Sequence, residues 1–438
     1  MRTIIKIGVC LALSIAILTL LVPNVAADRS IGIEDAGNIS WILVCTALVF
    51  IMTPGVALFY GGMLRKQSMT SIIAQTTIVI GIMTISWVLI GYTLAFGTDV
   101  NGIIGNLEYV LLHNVSYDTI ADGATIPNME FMIFQMMFAL ITAGIVLGAC
   151  IERIRFNAIA IFIAVWSVLI YAPMAHWVWG GGLFAEYLTV LDFAGGTVVH
   201  ICAATTGLAL VLFAGKRSER IIKDRPHNIP LAFLGCALLW LGWFGFNGGS
   251  GLAANGLAIN AIVVTQISAA FAMITWITLQ YMHIGRVNVL GMIAGAVAGL
   301  VAITPAAGYV GPTEAIIIGI GGGFFCYIGV ILMRKKSGLD DALDVFGVHG
   351  IGGIWGSIAT GIFALPAMVP AGYEGLLYGN TSLFVGQIIA VISTLVFCFV
   401  MSYMIVWIIS KFMNVNMNEN EEIIGADIVE HGEPSYRM

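Results

Sequence analysis

Charge is what this sequence has least of. Only 10% of its 438 residues are Asp, Glu, Lys or Arg, where a soluble domain carries about 25%. With 59% hydrophobic residues and a mean hydropathy of +0.99, that scarcity excludes a soluble globular domain and predicts an all-α polytopic membrane protein. Cysteine is also sparse in the places where it would matter. Of the seven, none lies in a long polar loop, and Cys45, Cys202, Cys236, Cys326 and Cys398 sit in apolar runs. That leaves no disulfide framework or zinc spacing, and buried free thiols are expected. No cofactor, metal, enzymatic activity or nucleic-acid partner is expected.

What is there is apolar and glycine-rich. Apolar runs of about 20 residues fall near 38–62, 70–97, 129–150, 156–176, 194–214, 229–248, 258–282, 288–306, 314–333, 345–365 and 383–411, which predicts eleven transmembrane helices. Glycine makes up 52 of the 438 residues, against an average of about 7%, and suits helices whose backbones approach closely. Ahead of the spans, Arg2 and Lys6 precede the apolar stretch "IGVCLALSIAILTLLVP", then Val25-Ala26-Ala27 and Asp28. Residues 1–27 therefore read as a cleaved signal peptide. Residues 28–412 form the eleven-span domain and 413–438 a polar, acidic tail, with its order left open by composition.

Basic residues are nearly missing from one side. Loops after odd-numbered spans hold Arg65, Lys66, Arg153, Arg155, Lys216, Arg217, Arg220, Lys223, Arg225, Arg286, Arg334, Lys335 and Lys336, and the opposite loops hold only Arg29. The positive-inside rule places the mature N-terminus outside and the C-terminus, with Lys411 and Arg437, in the cytosol. The acidic segment 98–128 is then an extracellular loop, expected to pack as a cap.

Two halves of the chain rhyme. "ALFYGG" (57–62) answers "GFNGGS" (245–250), and "DFAGGTVVH" (192–200) answers "DVFGVHG" (344–350). Repeats over about 38–214 and 229–365 hold five spans each, so the second begins on the opposite side and the topology is inverted. Transporters of that kind place their pathway at the repeat interface. His200 and His349 then enter the hydrocarbon layer from equivalent positions, where an ionisable residue marks a functional site. Facing each other, they can share one proton, one nitrogen donating and the other accepting. Asp192 can cap the fifth span at its N-terminal dipole or stand as a fixed negative charge at the entrance; Asp344 reads as structural. Aromatic residues gather at the extracellular ends: Trp177 and Trp179 in "AHWVWGGG" (175–182), Trp243, Phe244 and Phe246 in "WFGFNGGS" (243–250), and Phe138 in "FQMMFA" (134–139). They fit an interfacial belt or, with Ser250, a small-cation site built on cation–π attraction.

These segments, with "PHNIP" (226–230) and "ITPAAGY" (303–309), resemble the ammonium transporter (Amt) branch of the Amt/Rh family across all eleven spans. The resemblance implies an inverted-repeat fold in a lipid bilayer, a homotrimer with one pore per subunit, and uptake of ammonium at the cell membrane. By it, Trp179, Ser250 and Phe138 form an external ammonium site supported by Asp192. Phe138 and Phe246 form a stacked gate, and His200 and His349 line the pore. Trp243, Gln135 and Thr304 match supporting positions. The tail segment "EEIIGADIVEHGE" (421–433) is similar to the family's regulatory end and implies control by a PII-type nitrogen regulatory protein. Plant members carry a phosphorylatable threonine where Val429 or Glu430 stands here, which sets that switch aside.

Three rivals remain at this stage. An Rh-type ammonia or carbon dioxide channel is disfavoured by Trp179 and Ser250. Haem held between His200 and His349 is a second. A sensor that binds ammonium but transports little is a third, disfavoured by the short tail. Charge-coupled and electroneutral transport stay open.

Overall fold

The computed structural model describes residues 35–436 except 122, 223–225 and 335–337. The signal-peptide expectation for residues 1–27 lies outside the described residues. Among these, ten helices are long and apolar enough to cross a membrane: Ala36–Met63, Lys66–Phe96, Asn128–Cys150, Phe156–Tyr187, Gly196–Ala214, Ile229–Gly249, Gly256–Ile284, Pro312–Leu332, Phe346–Phe363 and Thr381–Ile409. A shorter apolar helix, Val289–Ile303, stands between the seventh and ninth of the expected spans. With it the eleven-helix, inverted-repeat architecture is complete. The expected eighth span, 288–306, is thus cut short. Pro305 has no N–H with which to continue the ladder, and the chain proceeds through tight turns such as Tyr309 N–H to the Ala306 carbonyl.

Local chemistry starts many of these helices. Their first N–H groups have no partner within the helix, and Asp35, Asn228, Asn255, Asn288 and Asn380 supply side-chain oxygens to them at the heads of the first, sixth, seventh, eighth and eleventh spans. Such caps are worth about 0.5–2 kcal/mol each. The most extensive packing joins the first and sixth spans across the two repeats. There a Cβ on Gly62 would collide with the Ala232 backbone, and one on Gly235 with Phe59. Small residues permit that approach.

Burial follows position in the bundle. The third span is almost wholly enclosed, while Ile85, Ile259 and Ile392 of outer spans stay exposed. The described cysteines, including Cys150, are free and buried. Segment 98–128 packs as a cap through the short hairpin Asp99–Val100 with Ile104–Gly105, and through buried Val115 and Ile126.

Residues 413–436 of the tail dock on the bundle. Glu419–Ile424 forms a short helix, Arg155 N–H bonds to the Val415 carbonyl at 2.8 Å, and Met417 N–H to the Arg153 carbonyl at 2.7 Å. Arg155 also holds Glu421 at 2.5 Å and Glu430 at 3.1 Å. Asp427 accepts the Ser71 N–H at 2.8 Å.

Candidate functional site

The fifth and tenth spans each open with a π-helical turn, Gly196–Ile201 and Phe346–Gly350. Each of those turns carries one of the two histidines. The wider i→i+5 turn bulges the backbone and recurs at functional sites; here it occurs at matching places in both repeats. His200 and His349 are brought together, with His349 Nδ1 3.3 Å from His200 Nδ1. Both rings are buried. His200 Nε2 is buried with no hydrogen-bond partner, so that nitrogen keeps its capacity for something else. Haem iron between two trans imidazoles, each about 2 Å from the metal, would set the nitrogens about 4 Å apart, further than the 3.3 Å between these Nδ1 atoms.

The pair borders a narrow cavity of about 10 Å³ as measured by the centre of a water-sized molecule, close to the room one water needs. Its other walls are apolar or aromatic, among them Val56, Ile141, Leu239 and Tyr60. None of these four was expected from the sequence, because an apolar residue lining a cavity within the bundle looks like one facing lipid. Tyr60 lay in a segment noted only for its repeat.

On the expected extracellular side an aromatic stack closes the cavity. Phe246 lies 6.1 Å from the His200 ring at 22°, and Phe138 lies over Phe246 at 4.3 Å and 30°. Trp179 meets Phe138 edge-on at 6.0 Å. Ser250 ends the sixth span, half-buried, with its hydroxyl donating to the Phe246 carbonyl at 2.8 Å. Trp243 stacks on His200 at 5.4 Å and 25°. Its indole N–H donates to Thr304 Oγ1 at 2.9 Å, and that hydroxyl donates to the Leu300 carbonyl at 2.8 Å. Thr304 therefore orients the ring that backs His200. Gln135 lies one turn before Phe138 on the third span, and no hydrogen bond or ring contact ties it to the cluster.

Asp192 is buried and fully occupied. Oδ1 accepts the N–H groups of Gly195 at 2.8 Å and Gly196 at 2.6 Å, and Oδ2 accepts the Thr197 N–H at 2.7 Å and the Thr197 hydroxyl. Its backbone carbonyl accepts the Trp179 indole N–H at 2.8 Å. The carboxylate thus fixes both the head of the fifth span and the tryptophan above it. Asp344 faces the opposite end of the bundle, bonded to Arg334 through Nε at 2.8 Å. The residue that matches Asp192 is Asp341, eight positions before His349 as Asp192 is eight before His200. Aligning "DFAGGTVVH" with "DVFGVHG" put the repeat out of register by three residues.

The face carrying the basic loops is held by ion pairs. Glu152 accepts from Arg65 at 3.0 Å and from Arg217 at 2.7 Å, and Arg217 also grips Asp340 at 2.8 Å. Burial alone would raise the Asp340 carboxyl, but Arg217 and the nearby Arg153 outweigh it and hold it below the usual range.

Comparison with known proteins shows the family. The model of the Ammonium Transporter Family matches residues 40–436. An ammonium transporter of Bacillus subtilis (strain 168) is 47% identical over 401 residues, covering 92% of this chain and 98% of that one. Ammonium transporter Amt1 of Archaeoglobus fulgidus is 44% identical, covering 91% and 99%. Among solved structures, Candida albicans Mep2 superposes with a TM-score of 0.81 at 30% identity, over 88% of this chain and 87% of that one. A sensor Amt protein superposes at 0.82 and 27% identity, over 90% and 98%. This chain belongs to the Ammonium Transporter Family.

Proposed function

We propose that this multi-pass ammonium transporter takes up ammonium from outside the cell and separates it into ammonia and a proton before passage. The observation that carries the reading is the bonded histidine pair, His200 with His349, on a narrow apolar cavity closed outward by Phe138 and Phe246. A bare cation in such a cavity is costly, whereas neutral ammonia is not.

Ammonium first meets Trp179, Phe138 and Ser250, whose ring faces and hydroxyl replace part of its water. Asp192 lies beneath as a fixed negative charge. Its oxygens already hold four donors, so it attracts the cation without taking its proton. Phe138 and Phe246 move apart to admit the substrate. With one proton shared between the Nδ1 atoms, one ring presents N–H and the other a lone pair at its outer nitrogen. His200 Nε2, buried and unpartnered, is placed to accept from the substrate and pass the proton inward. Potassium has no proton to give and no N–H to donate. Trp243, held by Thr304, keeps the His200 ring in plane.

The same reading extends to the surroundings. The protein sits in the plasma membrane as a homotrimer, its mature N-terminus outside after signal-peptide removal and its C-terminus in the cytosol. The tail docked through Arg155 and Asp427 offers a PII-type regulatory protein a surface that reports on the pore-bearing loops. Transient current from reconstituted liposomes tests the transport reading. An ammonium pulse should give a saturable current and a potassium pulse none; internal alkalinisation without current would replace charge-coupled uptake by neutral ammonia conduction.

A further inference from the structure

The two pore histidines are preceded by carboxylates of different availability. Asp192 and Asp341 each accept the backbone N–H five residues on, Thr197 at 2.7 Å and Phe346 at 2.7 Å. Asp192 has no free oxygen. Asp341 uses only Oδ2 in this way, and its Oδ1 is shielded from solvent with no hydrogen-bond partner. The segment is pinned beside the inner end of the third span by the Ala342 N–H to the Ala149 carbonyl at 3.4 Å. The third span carries Ile141 and Ile145 of the histidine cavity, and Tyr60, another wall of that cavity, donates its hydroxyl to the Ile145 carbonyl at 3.4 Å.

Among the described residues, the cations near Asp341 bond to other partners. Arg334, at the end of the ninth span, is bonded to Asp344. Arg153, after the third span, donates to the Ala149 carbonyl at 2.5 Å and to the Gly215 carbonyl. Arg217 is held by Asp340 and Glu152. None forms an ion pair with Asp341. Its own neighbour Asp344 repels it.

We propose that Asp341 is the proton acceptor at the inner end of the pore, its Oδ1 taking the proton that the His200–His349 pair passes inward and releasing it to water on the basic-loop side. The inference rests on charge-coupled uptake. In the step an imidazolium N–H bond breaks and a carboxyl O–H bond forms, with the Tyr60 hydroxyl or water as relay. The carboxylic acid then returns its proton to bulk water, and one positive charge has crossed with no other reactant consumed. Burial first, then the Asp344 charge, pushes the Asp341 carboxyl up to about 7, against the N–H groups of Phe346 and Val345 and the Arg153 charge. A group at that position both gains and loses a proton under cellular conditions.

The test uses the full chain in liposomes, reading ammonium-pulse current while internal pH is varied on both sides of about 7. Wild-type current should fall as internal pH drops below that value, because a carboxyl that stays protonated cannot accept. Asp341→Asn still accepts the Phe346 N–H but holds no proton. It should cut the current at least about tenfold and abolish the dependence on internal pH. Asp341→Glu should restore current with a displaced midpoint. Wild-type current and pH profile in Asp341→Asn would overturn the proposal, as would equal inactivity of the Asn and Glu variants. If Asp341→Asn does not fold, Asp341→Glu decides: a displaced midpoint supports the role and an unchanged one overturns it. Absence of current in the wild type would instead fail the charge-coupled reading itself.

Discussion

The two repeats build one hydrogen-bonded histidine pair from unequal surroundings. On the first-repeat side, His200 is backed by Trp243 and Phe246, and its span is headed by a carboxylate with every oxygen engaged. On the second-repeat side, among the described residues no ring other than His200 lies against His349, and its span is headed by a carboxylate with one oxygen unused. The backbone device is the same on both sides: a π-helical turn carrying the histidine. Symmetry thus sets where the histidines meet, and departures from it divide the labour. The outer half holds its carboxylate with four donors, while the inner half leaves one carboxylate oxygen without a partner, the oxygen proposed above to change its protonation.

The largest difference should come from deleting the two carboxylates. Asp192→Ala strands the N–H groups of Gly195, Gly196 and Thr197 in the protein interior, at about 1–3 kcal/mol each. It also frees the segment that anchors Trp179. Thermal melting in detergent should show a severe loss of stability, and transport should vanish. Asp341→Ala removes the bond accepted from the Phe346 N–H and should cost only about 0.5–2 kcal/mol, as for a lost cap. Equal melting shifts would break the comparison.

A smaller asymmetry lies in the ring supports. Thr304→Val keeps the shape but leaves the buried Trp243 indole N–H unpartnered, at about 1–3 kcal/mol. It should lower ammonium current while leaving ammonium affinity, read from the concentration dependence of the current, nearly unchanged. A rise in half-saturation with unaltered maximal current would place Trp243 in the outer site instead.

The smallest effect concerns the tail. Arg155→Ala removes the ion pairs to Glu421 and Glu430, which are partly exposed and worth about 0.2–1 kcal/mol each. Arg155 holds the Glu421 carboxyl below its usual range. That contribution is complete above the ordinary carboxylate range and is lost as pH falls through the depressed value. Limited proteolysis should therefore cut the 413–436 segment faster in the variant, in high salt, or at acid pH. Cutting rates equal to wild type in the variant would mean that the backbone bonds at Val415 and Met417 hold the tail unaided.

Much of this was legible in the sequence because membranes allow few solutions. Apolar runs, the missing basic residues of one face and the odd span count led to the inverted repeats. His200 and His349 stood out because an imidazole is conspicuous among Val, Ile and Gly. Phe138, Phe246, Trp179 and Ser250 needed the family resemblance, since aromatic residues at span ends also serve as interfacial anchors. Other features stayed hidden for physical reasons. Nothing in a linear pattern separates Val56 or Leu239 on the cavity wall from a leucine against lipid. The Asp341 register was obscured because Asp344 lies nearer to His349 and begins a better string match, while the hydrogen bond that defines the equivalence spans a turn. The order of the tail depends on partners more than 200 residues away, such as Glu422 on Ser218.

The histidine pair is the centre of the account, and its most direct test is the ammonium-pulse and potassium-pulse current of reconstituted wild type beside the His200→Ala, His349→Ala double variant. The account predicts a saturable, ammonium-specific current in the wild type and loss of ammonium-over-potassium selectivity in the variant. A double variant that still discriminates ammonium from potassium as the wild type does would contradict it.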